Sequence, residues 1–298
     1  MISHPAVWTN STRIDDFVAN FDKISVAEIQ DRLENGSGAL LLRGFNLEGL
    51  KKNSAREAFL EWCQTIGTPV SQSTSGDLVF NVEDAGLAEN DPGNRGPNTR
   101  KKLSFHTDRC DVIAFLCWKQ ALSGGENEIV SSMHLYNEIE KERPDLLEIL
   151  QSTFVYKRHT VDGGNEKAYC EQPVFSFCDE HFACSFLRVL IARADADPAL
   201  PNLSAQQREA LDYLEEVAGR SENAIRFLQK PGDILLLNNW VTLHRRSAFT
   251  DHLETEEKRC LFRIWLSMPN SRPLVPDFLD NYGAVGAGEI RGGMKAAV

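Results

Sequence analysis

The sequence predicts a mainly β protein with helical decoration, built on a jelly-roll core. Two features predict it. Short apolar runs bounded by Gly, Pro, Asn and Asp recur from Ala39 to Leu266. Helical periodicity is gathered into a lead-in that ends near Ile66 and into one stretch between Gly125 and Ile225. Many short strands with helices confined to two places argue for a jelly roll. A chain of 298 residues is long for one compact domain, but all-β folds often reach that size as a unit, so a single domain over 1–298 is expected.

Taken in order, Ser25-Val-Ala-Glu28 is a capping-box pattern, and Ile29 and Leu33 then share a helical face until Asn35-Gly36 stops it. Ala39–Phe45 reads as a buried strand. Ser54-Ala-Arg-Glu57 is expected to cap a second helix on which Ala55, Phe59, Trp62 and Ile66 share a face. Leu78–Val82 is a strand. Glu83–Thr99 is polar, with three Gly and two Pro scattered through it, and is read as a loop. Val112–Trp118 is strand-like. Ser131–Glu142 and Pro144–Leu150 are two helical pieces, split because the Pro144 ring would clash with the preceding turn of a continuous helix. Ser204-Ala-Gln-Gln207 is another capping box, opening a helix with Leu211, Leu214 and Ala218 on one side. Further strands are expected at Thr153–Tyr156, Pro173–Cys178, Ile225–Phe227, Ile234–Leu237 and Cys260–Leu266. The helices between Gly125 and Ile225 thus form an insertion within about 128–224.

Lys and Arg number 32 against 43 Asp and Glu, a formal charge of −11. Such a field repels nucleic-acid phosphates and anionic membrane surfaces, so neither is expected as a partner. The seven cysteines (63, 110, 117, 170, 178, 184 and 260) are odd in number and form no C-x-x-C pair, which fits reduced thiols in a cytosol. The N-terminal Met-Ile-Ser-His-Pro-Ala-Val-Trp has no basic segment leading into an apolar one, and no apolar run approaches roughly 18 residues. A soluble cytoplasmic protein is expected.

The chemistry concentrates in Lys102-Leu-Ser-Phe-His-Thr-Asp-Arg109. His106 and Asp108 are two residues apart in an extended segment, so both heads project to one face and can reach one ion. A ferrous centre that handles O2 needs two His and one carboxylate on one face of an octahedron, which leaves three positions open. His244 is the candidate for the second imidazole, at the end of Pro231-Gly-Asp-Ile-Leu-Leu-Leu-Asn-Asn-Trp-Val-Thr-Leu-His244. Beyond it, Arg259 and Arg263 open another apolar run. His4, His134, His159, His181 and His252 have no comparable context and read as surface or packing residues.

This order of parts resembles the iron(II)/2-oxoglutarate-dependent dioxygenases of the taurine dioxygenase (TauD/TfdA) and clavaminate synthase-like superfamily. The resemblance runs from about Leu40 to about Leu266. Four matches carry it: His106-Thr-Asp108, Gly124-Gly125-Glu126-Asn127, Gly232-Asp233 before His244, and Arg259-x-x-x-Arg263. It implies a double-stranded β-helix with Fe(II) held by His106, Asp108 and His244 near one mouth. It also implies that 2-oxoglutarate and O2 are cosubstrates and that the loop at about 83–101 is a flap over the substrate.

Arg259, fifteen residues beyond His244, stands where the family presents the guanidinium that forks onto the C5 carboxylate of 2-oxoglutarate. Asn127 stands where the family usually carries a Thr that hydrogen-bonds the same carboxylate, and its amide can donate likewise. Arg263 corresponds to the arginine that meets an anionic substrate in taurine dioxygenase-like members. That implies a small carboxylate-bearing, amino-acid-like metabolite. Halogenases of the superfamily lack the carboxylate that Asp108 supplies, so hydroxylation or a related C–H oxidation is implied, with release of succinate and CO2. Asn81, Val82, Phe105, Arg109 and Trp240 flank these motifs and are candidate substrate contacts.

Two other readings use the same residues. A zinc hydrolase could employ the three ligands, and a jelly-roll sensor could bind a metabolite without catalysis. Arg259 discriminates: a hydrolase has no need of a guanidinium aimed at a 2-oxo acid, and a sensor has no need of open metal positions.

Overall fold

The computed structural model describes residues 1–87, 96–163, 165 and 167–295. Its strands are β1 (Val18–Asn20), β2 (Ala39–Arg43), β3 (Thr68–Val70), β4 (Val79–Val82), β5 (Val112–Lys119), β6 (Ser123–Gly124), β7 (Asn127–Ser131) and β8 (Thr153–Lys157). They continue with β9 (Tyr169–Pro173), β10 (Phe175–Cys178), β11 (His181–Cys184), β12 (Ala224–Phe227), β13 (Ile234–Asn238), β14 (Thr242–Arg246), β15 (Phe249–Thr250) and β16 (Cys260–Ser267). The helices are α1 (Val26–Glu34), α2 (Lys52–Ile66), α3 (Ser132–Glu142), α4 (Pro144–Leu150), α5 (Arg188–Asp195), α6 (Ala205–Gly219) and the single turn α7 (Leu279–Tyr282).

Two sheets face each other. The larger runs β1-β2-β13-β5-β16-β3, with β4 also paired to β16, and the smaller runs β12-β7-β14. Alternation across the pleat sorts the large sheet's side chains into two sets. Leu40, Leu42, Ala114, Ile234, Leu236 and Phe262 pack outward against Ile29, Leu33, Phe59 and Cys63 of α1 and α2. Leu41, Ile113, Phe115, Leu235 and Leu261 pack inward against Ile129, Ile225 and Phe227 of the small sheet. Behind the small sheet, Val130 and Leu243 pack with α3, α4 and α6. The chain is therefore a mainly β jelly roll with helices on both outer faces, as its pattern of short strands predicts. The space between the sheets is where inward polar side chains must find partners or a ligand.

Local chemistry explains most element ends. Ser25 caps α1 by accepting from the Glu28 N–H at 3.2 Å, and Ser204 and Gln207 form the reciprocal capping box of α6. Pro144 stands at the first position of α4, where its missing N–H costs nothing, and the helix is split from α3 at Arg143.

The second helix departs from expectation. It opens at Lys52, with Lys51 in the cap position and no side-chain cap, so Ser54 lies inside the first turn. Tertiary packing sets that end: Ala55, Phe59, Cys63 and Ile66 are its buried residues, and Trp62 lies at the edge against Phe21.

The strand expected over Pro173–Cys178 is interrupted at Val174, and Phe175–Cys178 instead makes a hairpin with His181–Cys184 around Asp179, whose φ is 52°. The stretch read as a helical insertion also carries the hairpins β8-β9 and β10-β11. Within the loop at about 83–101, Gly96–Asn98 forms a 3-10 turn, and 88–95 lie outside the described residues.

Candidate active site

His244 lies on β14, opposite Ile129 of β7, and so faces the space between the sheets. His106 is not part of a regular strand. It makes a single antiparallel bridge to His244, with both backbone N–H···O contacts at 3.1 Å. The bridge brings the two rings to 4.4 Å between centroids. After the bridge the chain turns, and the Asp108 N–H donates to Asn239 Oδ1 at 3.0 Å, which fixes the carboxylate beside the imidazoles. One ligand atom from each of His106, Asp108 and His244 then lies within 4.8 Å of the others.

The donor set fits a divalent cation. His106 Nδ1 lies 2.8 Å from the Ser104 carbonyl oxygen, which can only accept, so Nδ1 carries the proton and Nε2 keeps its lone pair. Burial and the neighbouring His244 lower the His106 pKa to about 4, leaving a neutral imidazole at neutral pH. Burial opposes ionisation of Asp108, but the Arg263 guanidinium and the neighbouring His244 and His106 rings outweigh it and hold the carboxyl well below its usual range. Asp108 Oδ2 and His244 Nδ1 are buried without a hydrogen-bond partner, as groups awaiting a ligand would be.

Four arginine and amide side chains extend the inner face. Arg263, on β16, donates from Nε to Gln72 Oε1 at 2.7 Å and places Nη1 3.7 Å from Asp108 Oδ1. Phe80 and Trp265 cover its guanidinium at 5.0 and 5.1 Å. Arg259 is 1% exposed, its Nε donates to Gln120 Oε1 at 3.3 Å, and its Nη1 has no partner. Burial lowers its pKa to about 10, still charged at neutral pH. Gly124 and Gly125 have positive φ, and a Cβ on Gly125 would stand 3.1 Å from Arg259 Nε, so the double glycine is what lets the turn close on that guanidinium. Asn127 sits on the same face opposite Arg246, with its amide donating to Gln229 Oε1 at 3.0 Å. Arg246 itself is a residue that sequence reasoning missed, although two positions after His244 on one strand is signal enough for a shared face. Burial, then Arg259, lower its pKa to about 10.

The flanking candidates divide. Val82 lies on the inner face opposite Leu261, but Asn81 alternates outward toward Glu83, which pairs with Lys52 of α2. Phe80, not expected, takes the inner place over Arg263. Phe105 is buried in the helix-side core beneath the Arg245 guanidinium, at 4.0 Å. Arg109 turns away from Asp108 to Asn281 and Asp162 and lines a separate cleft of about 600 Å³. Trp240 is core: its Nε1 donates to Asp111 Oδ1 at 2.8 Å and its ring packs on Phe278 and Tyr282. Phe105, next to His106 in sequence, points away from it in space, as a period of two explains.

The family model for "Taurine catabolism dioxygenase TauD, TfdA family" matches residues 9–265. FR-33289 synthase of Streptomyces rubellomurinus (strain ATCC 31215) is 32% identical over 279 residues, covering 91% of this chain and 78% of the relative. Human gamma-butyrobetaine dioxygenase is 30% identical over 166 residues, 51% of this chain and 41% of its own.

Among solved structures, asparagine oxygenase with Fe(II), 2S,3S-3-hydroxyasparagine and succinate superposes with a TM-score of 0.59 at 20% identity, covering 77% of this chain and 74% of its own. The non-heme iron oxygenase OrfP with Fe and alpha-ketoglutaric acid gives 0.56 at 15% identity, with coverage of 77% and 74%. These two share the fold. With the family model spanning most of the sequence, the chain belongs to the taurine catabolism dioxygenase TauD/TfdA family and is an iron(II)/2-oxoglutarate-dependent dioxygenase.

Proposed function

We propose that the chain oxidises a C–H bond of a small, carboxylate-bearing, amino-acid-like metabolite, and that it does so as one catalytic unit in the cytoplasm. The observation that carries this reading is the row of inward side chains: two imidazoles, one carboxylate and two buried guanidinium groups on facing walls of one jelly roll. His106, Asp108 and His244 would hold Fe(II). Arg259 and Asn127 receive the distal carboxylate of 2-oxoglutarate. When bound, Fe(II) with 2-oxoglutarate would supply O2 activation and C–H oxidation, with release of succinate and CO2.

The chain's own part is positioning. Ser104 orients the His106 ring, Asn239 holds the Asp108 backbone, and the apolar inner face keeps bulk water from the reacting centre. Arg263, pinned by Gln72 and flanked by two rings, presents a fixed positive charge next to a metal ligand, and a substrate carboxylate is the group it suits best. Asparagine oxygenase and OrfP, whose structures hold hydroxylated asparagine and arginine, are amino-acid examples on this fold. The seven free cysteines, six of them buried, are consistent with a reducing compartment.

The test is a screen of amino acids and small carboxylates for substrate-stimulated succinate release, with Arg263→Ala as control. An acidic compound should give the largest stimulation, and the variant should lose at least ~10-fold in kcat/KM for it, the scale of one charge-assisted pair. Best turnover of a neutral compound, unaffected by Arg263→Ala, would overturn the substrate assignment.

A further inference from the structure

Arg246 is a second buried guanidinium on the wall that carries His244, and its surroundings are unusual. It is 4% exposed. Its Nη1 donates to the Thr99 carbonyl at 2.8 Å and its Nη2 to the Lys101 carbonyl, while Nε is buried without a partner. Its charge lies 4.7 Å over the Phe249 ring, the same ring that Arg259 approaches at 5.1 Å. Among the described residues no carboxylate comes within ion-pair distance, 4.0 Å, of either guanidinium. Asp84 is paired with Arg100 at 2.9 Å, and Asp251 spends one oxygen on the Arg259 backbone N–H at 2.7 Å. Two like charges sharing one ring in a desolvated space are unfavourable unless an anion joins them.

One carboxylate has two oxygens and about four lone-pair sites, enough for two guanidinium groups. We infer that Arg246 and Arg259 together grip the distal carboxylate of the 2-oxo acid, and that Arg246 links this grip to the backbone of Thr99 and Lys101. Residues 99–103 lie along the end of β14: the Leu103 N–H donates to the Arg246 carbonyl at 3.0 Å and the Phe249 N–H to the Arg100 carbonyl at 3.1 Å. Three residues after Leu103 comes His106. Cosubstrate binding therefore tightens the segment that delivers a metal ligand. The inference rests on Arg259 being the cosubstrate anchor.

The test uses the Fe(II)-loaded protein without O2. Equilibrium binding of 2-oxoglutarate and of 2-oxobutyrate, which lacks the distal carboxylate, is measured for wild type, Arg246→Gln, Arg246→Lys and Arg259→Gln, alongside amide exchange of residues 99–103. Arg246→Gln should weaken 2-oxoglutarate at least ~10-fold while changing 2-oxobutyrate less than ~2-fold, and should abolish the slowing of Leu103 exchange that 2-oxoglutarate produces. Arg246→Lys should lie between and retain the fold if the Gln variant does not.

Equal weakening of both acids by either Arg246 variant would make Arg246 a structural strap and overturn the inference. So would unchanged 2-oxoglutarate binding in the Arg246 variants with weakened binding in Arg259→Gln. Unchanged binding in Arg259→Gln would instead remove the anchor assignment beneath it.

Discussion

Two buried acid and arginine sets, built from neighbouring stretches of chain, behave in opposite ways. Asp111 is three residues from Asp108, and both its oxygens are filled: Oδ1 by Arg291 Nε at 2.7 Å and Trp240 Nε1 at 2.8 Å, Oδ2 by the Met268 N–H at 2.8 Å and Ser267 Oγ at 3.4 Å. Asp108 has an oxygen with no hydrogen bond, and among the described residues no carboxylate forms an ion pair with the Arg259 or Arg246 guanidinium, buried like that of Arg291. The first set is closed and serves the fold. The second is open, and in the proposed function its missing counter-charges are the metal and the cosubstrate. Buried charge by itself does not identify a site; buried charge left uncompensated does.

The largest contrast is between Asp108→Ala and Asp111→Ala. His106→Ala and Asp108→Ala should each lower 2-oxoglutarate decarboxylation at least ~1000-fold, because a facial ligand is lost, with little change in denaturant midpoint. Asp111→Ala should cost about 3–5 kcal/mol of stability, because Arg291 is left buried without its partner. Chemical denaturation and succinate release separate the two effects. Near-normal turnover of iron-loaded Asp108→Ala, or an Asp111→Ala protein as stable as the parent, would break the distinction.

Arg259→Gln comes next. It should raise the 2-oxoglutarate requirement by roughly 100-fold, about 3 kcal/mol, and leave the iron requirement within about 2-fold, since the lost pair involves the distal carboxylate alone. Steady-state titration of each component against the other at saturation checks it. Equal effects on both requirements would mean that Arg259 serves the metal site or the fold.

The fold and the cluster of candidate metal ligands were legible for different reasons. Ser25, Pro144 and Ser204 mark helix starts through local hydrogen bonding, which sequence displays, whereas α2 starts at Lys52 because of what Ala55 and Phe59 pack against, which it does not. The His106 and Asp108 spacing pointed to one shared ion even though no regular strand holds them; a single bridge to His244 and the Asn239 side chain do so. Asn239 lies 131 positions from Asp108, too far for any local pattern. Trp240 and Phe105 lie in the core because closeness in sequence to a candidate ligand is not closeness to the site, while Phe80 and Arg246 follow from the period-two rule applied to β4 and β14.

The smallest effect is in the metal-free protein. The folded His106 pKa of about 4 lies below its ordinary 6.5, so the unfolded chain binds the extra proton between those values. Stability from this group is fully present above pH 6.5 and declines as pH falls toward 4, and the depressed Asp108 acts in the same direction. Denaturation midpoints of wild type and His106→Gln across that window should converge as pH falls. A parallel pair of curves would show that His106 is not held neutral by its surroundings.

The most direct measurement is the absorption spectrum of the protein with Fe(II) and 2-oxoglutarate added without O2. A weak visible charge-transfer band should form in wild type, persist in a folded Asp111→Asn protein, disappear in Asp108→Ala, and require much higher 2-oxoglutarate in Arg259→Gln. Absence of the band in wild type, with zinc bound tightly at the same residues, would contradict the assignment of this site to iron and a 2-oxo acid.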